Sequence, residues 1–192
     1  MHVKVRSQKE LDAALARGDV AVLCEHGDYE VVAKGTDAPC IIVMGREARL
    51  HLVATDDSRP YVESRKDSQP IIDSRETSKP YVCALGHSRP CIEAYDESKP
   101  HVDAWGHSRP YVESWGGSRP NIRAYDYSMP YSASWGGARP YIEAWERSRP
   151  YVDIRGSNAP IVKAYDESEP LIKSWGRPHD DAPEPRQEAP AG

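Results

Sequence analysis

Acids, bases and aromatic rings return in this chain at intervals of ten residues. One register carries Glu63, Asp73, Glu93, Asp103, Glu113, Glu143 and Asp153, and another carries Lys79, Arg89, Lys99, Arg109, Arg119, Arg139 and Arg149. Carboxylates do catalysis when they gather in a groove beside irregular loops. Here they are spread one per ten residues, with no inserted loop to shape a pocket, so the reading is non-enzymatic. Stacked like charges repel, so the acidic and basic columns are expected to serve each other. Their near balance argues against nucleic acid as a partner, since a nucleic-acid groove needs a one-sided basic stripe. With a net charge of −5 the chain would also mimic DNA poorly.

The rings form two further registers. Tyr95, Trp105, Trp115, Tyr125, Trp135, Trp145, Tyr165 and Trp175 share one, which includes every tryptophan, and Tyr61, Tyr81, Tyr111, Tyr131, Tyr141 and Tyr151 share the other. The first set is the candidate binding column, and three readings apply to it. Rings can stack on one another and shield a sheet. They can be the buried centre of a protein interface or of self-association, where Trp and Tyr are enriched. They can also stack on the sugar faces of a glycan, although the polar groups around them vary in order from unit to unit.

Cys24, Cys40, Cys83 and Cys91 lack the paired close spacing of a zinc site and are read as free thiols. His87 and His107 stand twenty residues apart and supply too few ligands for a metal. No cofactor motif is present.

These side chains are positioned by a proline at every tenth residue from Pro60 to Pro170. With Pro as position one, the unit reads Pro, Tyr, Val or Ile, acid, Ala or Ser, aromatic, Gly or Asp, variable, Ser, base. Fixed-period self-similarity marks a stacked array, and a Pro every ten residues excludes helix. Position three is aliphatic except at Ser132, and position five is small except at Ile154. Their alternation with positions two, four and six has the period of a strand with one buried face. Gly or Asp at position seven supplies the corner, and Ser at position nine is expected to turn its hydroxyl onto corner backbone. The fold class is therefore all-β, a narrow β-solenoid. One unit per coil would leave almost no room for two opposed strands and their turns, so two units in a 20-residue coil are favoured; six such coils would make a rod of roughly 28 Å, against roughly 57 Å for twelve single-unit coils. Handedness is not fixed by the sequence, and right-handed winding is taken as the working choice. The absence of Phe fits an interior too tight for rings.

Residues 1–55 follow other rules and are read as an N-terminal cap. After a strand near Val3 to Arg6, Ser7 and Glu10 make a capping box ahead of Leu11, Ala14 and Leu15, giving a short helix that ends at Gly18. Apolar runs at Ala21 to Cys24, Tyr29 to Ala33, Cys40 to Met44 and Leu50 to Ala54 are read as less regular first coils, with the helix as a lid over an edge that would otherwise recruit other chains. Residues 56–176 are the repeat, and 177–192 read as a disordered Pro-rich tail. No apolar stretch is long enough to span a bilayer and no signal-peptide core follows Met1. The expected setting is the cytoplasm or a phage-type particle assembled there, with no membrane contact.

Gly-His-Ser-Arg-Pro-Tyr-Val-Glu-Ser-Trp at 106–115 and Lys-Pro-His-Val-Asp-Ala-Trp-Gly-His-Ser at 99–108 resemble the decapeptide arrays of uncharacterised bacterial and prophage-encoded proteins. The resemblance spans about 58–178 and implies a structural or adhesive role in a phage or mobile-element setting. The Arg65 and Arg75 units and the Asn121 to Ser134 stretch depart from the pattern, the latter as a candidate bend or contact point. The functional expectation is a structural or protein-interaction solenoid. The alternative is a monomeric module that binds a glycan or protein through the ring column.

Overall fold

In a computed structural model that describes residues 1–155 and 159–174, parallel strands stack in two sheets. The chain opens with β1 (His2–Val5), α1 (Gln8–Ala16), β2 (Val20–Leu23), β3 (Gly27–Ala33), β4 (Cys40–Met44) and β5 (Ala48–Ala54). One strand per decapeptide follows, from β6 (Tyr61–Arg65) and β7 (Ile71–Ser74) to β16 (Ile161–Ala164) and β17 (Leu171–Ser174). The first sheet holds β1, β2 and then every even-numbered strand to β16. The second holds every odd-numbered strand from β3 to β17. Partners in the repeat lie twenty residues apart, as in His101 beside Asn121 and Tyr111 beside Tyr131, so each coil contains two units. Nine stacked strands at the ladder spacing make a rod of about 38 Å. The stretch from Asn121 to Ser134 keeps this register on both sides and does not bend away.

Position three forms the centre of the core, with Val62, Ile72, Val82, Ile92, Val102, Val112, Ile122, Ile142 and Val152 fully buried. Two further positions face inward. The ten prolines from Pro60 to Pro150 are buried, and their carbonyls accept from position two one coil on, as when Tyr81 N–H donates to Pro60 at 2.9 Å. Ser at position nine is also interior, which corrects the expectation that it binds corner backbone. Position-five serines pair with it in two units, Ser64 with Ser68 at 2.8 Å and Ser74 with Ser78 at 2.9 Å, whereas Ser114 donates to the Ala133 carbonyl at 3.1 Å. Among the described residues, the buried hydroxyls of Ser118 and, opposite Ala at position five, of Ser58, Ser88, Ser98, Ser108, Ser128 and Ser148 have no hydrogen-bond partner. Ser168 does reach backbone, donating to the Ala144 carbonyl at 3.0 Å.

Every described position-seven residue of the repeat has positive φ, from 53° at Asp56 to 68° at Gly86 and Gly106. A non-glycine residue there costs about 1–2 kcal/mol, and acidic residues recover part of that cost. Their carboxylates accept the position-seven N–H of the preceding coil: Asp56 N–H donates to Glu76 at 2.9 Å, Gly106 N–H to Asp126 at 2.9 Å and Asp126 N–H to Glu146 at 3.0 Å.

At the N-terminal end, Ser7 caps α1 by accepting from Glu10 N–H at 3.3 Å, while the Glu10 carboxylate reaches back to Arg6 N–H at 2.8 Å. Leu11 and Ala14 bury fully as α1 packs across β1, β2 and β3, so the helix is a lid. The interior under it does admit a ring, against expectation. Tyr29 is 1 % exposed, and Gly27 leaves it room, since a Cβ there would sit 3.1 Å from the ring. The expected tail, 177–192, lies outside the described residues.

Candidate functional site

A 20-residue coil puts consecutive units on opposite sheets, so the eight-ring candidate column becomes two rows on opposite edges. Tyr95, Trp115 and Trp135 stack with centroids 4.8 and 4.9 Å apart on the edge leading from the second sheet back to the first. Trp105 stacks on Tyr125 and Trp145 on Tyr165, each at 3.9 Å, on the other edge. Trp175 lies outside the described residues. Position two makes two more rows, Tyr61–Tyr81–His101 on the first sheet and Tyr111–Tyr131–Tyr151 on the second.

In-register parallel pairing presses like side chains together at the ladder spacing, which is close to the stacking distance of rings. The rows therefore close on themselves, and cations cover several ends. Arg75 lies 5.8 Å from Tyr95, Arg155 lies 5.5 Å from Trp135 and Lys173 lies 5.4 Å from Tyr151. A stacked ring offers solvent its edge. Trp105 is the most open of the described rings of the candidate set at 37 % exposure.

The acids lie beneath this aromatic layer. Asp73, Asp103 and Asp153 are buried. Their partners are rings, position-six arginines and, for Glu143, the position-four Arg123 at 3.3 Å, not the position-ten bases expected from the sequence. Tyr95 donates to Glu93 at 2.6 Å, Tyr141 to Glu143 at 2.6 Å and Tyr131 to Asp153 at 3.1 Å. Arg75 pairs with Asp73 at 3.2 Å and Arg155 with Asp153 at 3.0 Å. The reason is geometric. Position four sits between positions two and six on one strand, whereas position ten lies around the corner.

Burial pushes the Tyr61 phenol up to about 12, and the hydrogen bond to Glu93 together with burial pushes Tyr95 up to about 12. At Asp103 burial raises the carboxyl, but bonds from His101, at 2.9 Å, and from Tyr81 outweigh it and hold the group below its ordinary value. Burial raises the Cys83 and Cys91 thiols to about 11, which keeps them protonated, and all four cysteines are free.

A third kind of row was only half legible. His87 stacks on His107 at 5.3 Å, and Tyr127 extends the row at 5.4 Å, with Arg147 donating to its hydroxyl at 3.1 Å. The 20-residue spacing of 87, 107 and 127 is the signal that reveals it. His107, Tyr127 and Arg147 border an open depression of about 800 Å³ with Arg109, Met129 and Arg149. Among the described residues no three His, Cys, Asp or Glu side chains converge on a metal site, and no helix is long and apolar enough to cross a membrane. Compared with known proteins, the chain matches no family model, no curated protein and no solved structure.

Proposed function

We propose that the chain is a non-enzymatic, rigid solenoid that works by protein association, in the first place with a second copy of itself through its last described coil. One observation carries this reading. Among the described residues, α1 covers the first coil, whereas β16 and β17 each pair with a single neighbour. Around them Ile161 is 57 % and Leu171 53 % exposed, and Ile172 is only partly buried although its equivalents in inner coils are fully buried. Unpaired strand edges with apolar residues invite pairing with another chain. With one end covered, such contacts close as a two-fold pair instead of running on as a filament. A structural part in a phage-related assembly is consistent with this, as the decapeptide resemblance implies.

The test is molar mass by light scattering across a dilution series, for the full chain and for a version ending at Gly176. A dimer in either form supports the reading, and the difference between them states what residues 177–192 contribute. Monomers of both at all concentrations would overturn it.

A further inference from the structure

The 20-residue coil also divides the position-ten bases, and the two halves differ. On one edge the row reads Gln69, Arg89, Arg109, Met129, Arg149 and Glu169, with Arg149 paired to Glu169 at 3.0 Å. On the other it reads Arg59, Lys79, Lys99, Arg119 and Arg139, five cations in five consecutive coils. Lys79 reaches Asp57 at 3.9 Å, and the other four have no side-chain partner among the described residues. Neighbouring bases stand about 4.7–4.9 Å apart at the backbone, giving a row about 19 Å long. That spacing lies inside the screening length of physiological salt, about 8 Å, so the charges act together.

Acids near this row do not neutralise its far end. The carboxylates of Glu76 and Asp96 bind the backbone N–H groups of Asp56 and Glu76, and Glu97 shares the coil of Lys99. In the coils of Arg119 and Arg139 the corresponding corner positions are Gly116, Gly117, Gly136 and Gly137. On the other flank, position two is Tyr, His or Asn throughout this row. The result is a row in which corner acids offset the bases in the coils of Arg59, Lys79 and Lys99 and leave Arg119 and Arg139 without an acid at their own corners, a basic end that the overall acid–base balance of the sequence conceals.

We propose that this edge binds a linear anionic polysaccharide carrying one carboxylate per sugar, laid along the solenoid axis. The row runs along the stacking direction, and its cations recur at one ladder spacing. A chain of uronic-acid rings carries one carboxylate per ring on a stiff, extended backbone, and rotation at each glycosidic bond lets carboxylates turn toward the row along its length. Duplex nucleic acid winds its phosphates away from a straight row and spaces them about 3.4 Å apart on each strand. An acidic peptide would have to order its backbone to lie along the row, at about 1–2 kcal/mol per residue, a cost that stiff pyranose rings largely avoid. The contact is made by charge on this edge and needs no sugar to enter the closed ring stacks.

The full chain would be tested against immobilised polygalacturonate at low salt by interferometry, beside neutral dextran and duplex DNA. The expected result is binding to polygalacturonate that weakens as salt rises. The Arg119→Gln/Arg139→Gln variant should lose about tenfold in affinity, Arg119→Lys/Arg139→Lys should retain it, and Arg89→Gln/Arg109→Gln should bind like the parent. All substituted side chains are exposed, and unchanged far-UV circular dichroism would verify the fold. No binding at low salt, equal losses in the two Gln variants, or tighter binding to DNA would each overturn the proposal. None of these outcomes depends on the dilution series, so the self-association reading stands or falls separately.

Discussion

Replacing Trp115 by Ala removes the middle ring of a three-ring stack and separates two accounts of the aromatic rows. Trp115 contacts Tyr95 at 4.8 Å and Trp135 at 4.9 Å, with interplanar angles of 7° in both pairs. Each such pair contributes about 0.5–1.5 kcal/mol beyond area burial, so losing both costs about 1–3 kcal/mol. For a chain of this size each kcal/mol lowers the melting temperature by about 2–4 °C, and the expected drop is roughly 2–12 °C. Urea and thermal unfolding followed by far-UV circular dichroism would measure it. A double-mutant cycle with Trp135→Ala isolates the contact, and a coupling of about 0.5–1.5 kcal/mol is expected. A coupling near zero with unchanged melting, accompanied by loss of an oligomer in light scattering, would refute the reasoning and make the row an interface.

Four other perturbations probe the remaining parts. Ile122→Ala empties a fully buried site between Val102 and Ile142, and urea unfolding should show a loss of about 2–5 kcal/mol. Asp126→Ala loses the carboxylate that accepts Gly106 N–H while keeping a side chain at φ 55°. Asp126→Gly removes the same bond but relieves the backbone, so the Gly variant should unfold at higher urea than the Ala variant. Tyr61 and Tyr95 are shifted from about 10 in the unfolded chain up to about 12 in the fold. Their contribution is fully present below pH 10 and is lost as pH rises through 12. Ultraviolet titration should therefore show them ionising late, and the Tyr95→Phe variant should be less sensitive to alkali. Asp103, held low by His101 and Tyr81, contributes in the opposite sense: its share is present above the unfolded carboxyl value and lost as pH falls through the folded one. The Asp103→Asn variant should accordingly show a shallower fall in stability on acidification.

The strand in each unit, the inward position three and the corner at position seven were legible from Pro60 onward, because period-two alternation and turn residues are local signals. The helix was equally legible from Ser7, Glu10 and the apolar spacing behind them. The inward prolines and position-nine serines were not, because a side chain at a corner faces in or out according to how the next strand returns.

The repeat dictated that acids, bases and rings would recur, and it could not say which of them meet. That was decided by the pairing of residue i with residue i+20. It halves every ten-residue column, stacks Trp115 between Tyr95 and Trp135 instead of beside Trp105, and sets five bases on one edge while Met129 and Glu169 interrupt the other. Coil length is a property of how two sheets close around a core of Pro, Val, Ala and Ser. A strictly repeated decapeptide is compatible with more than one such closure until the backbone ladder selects it.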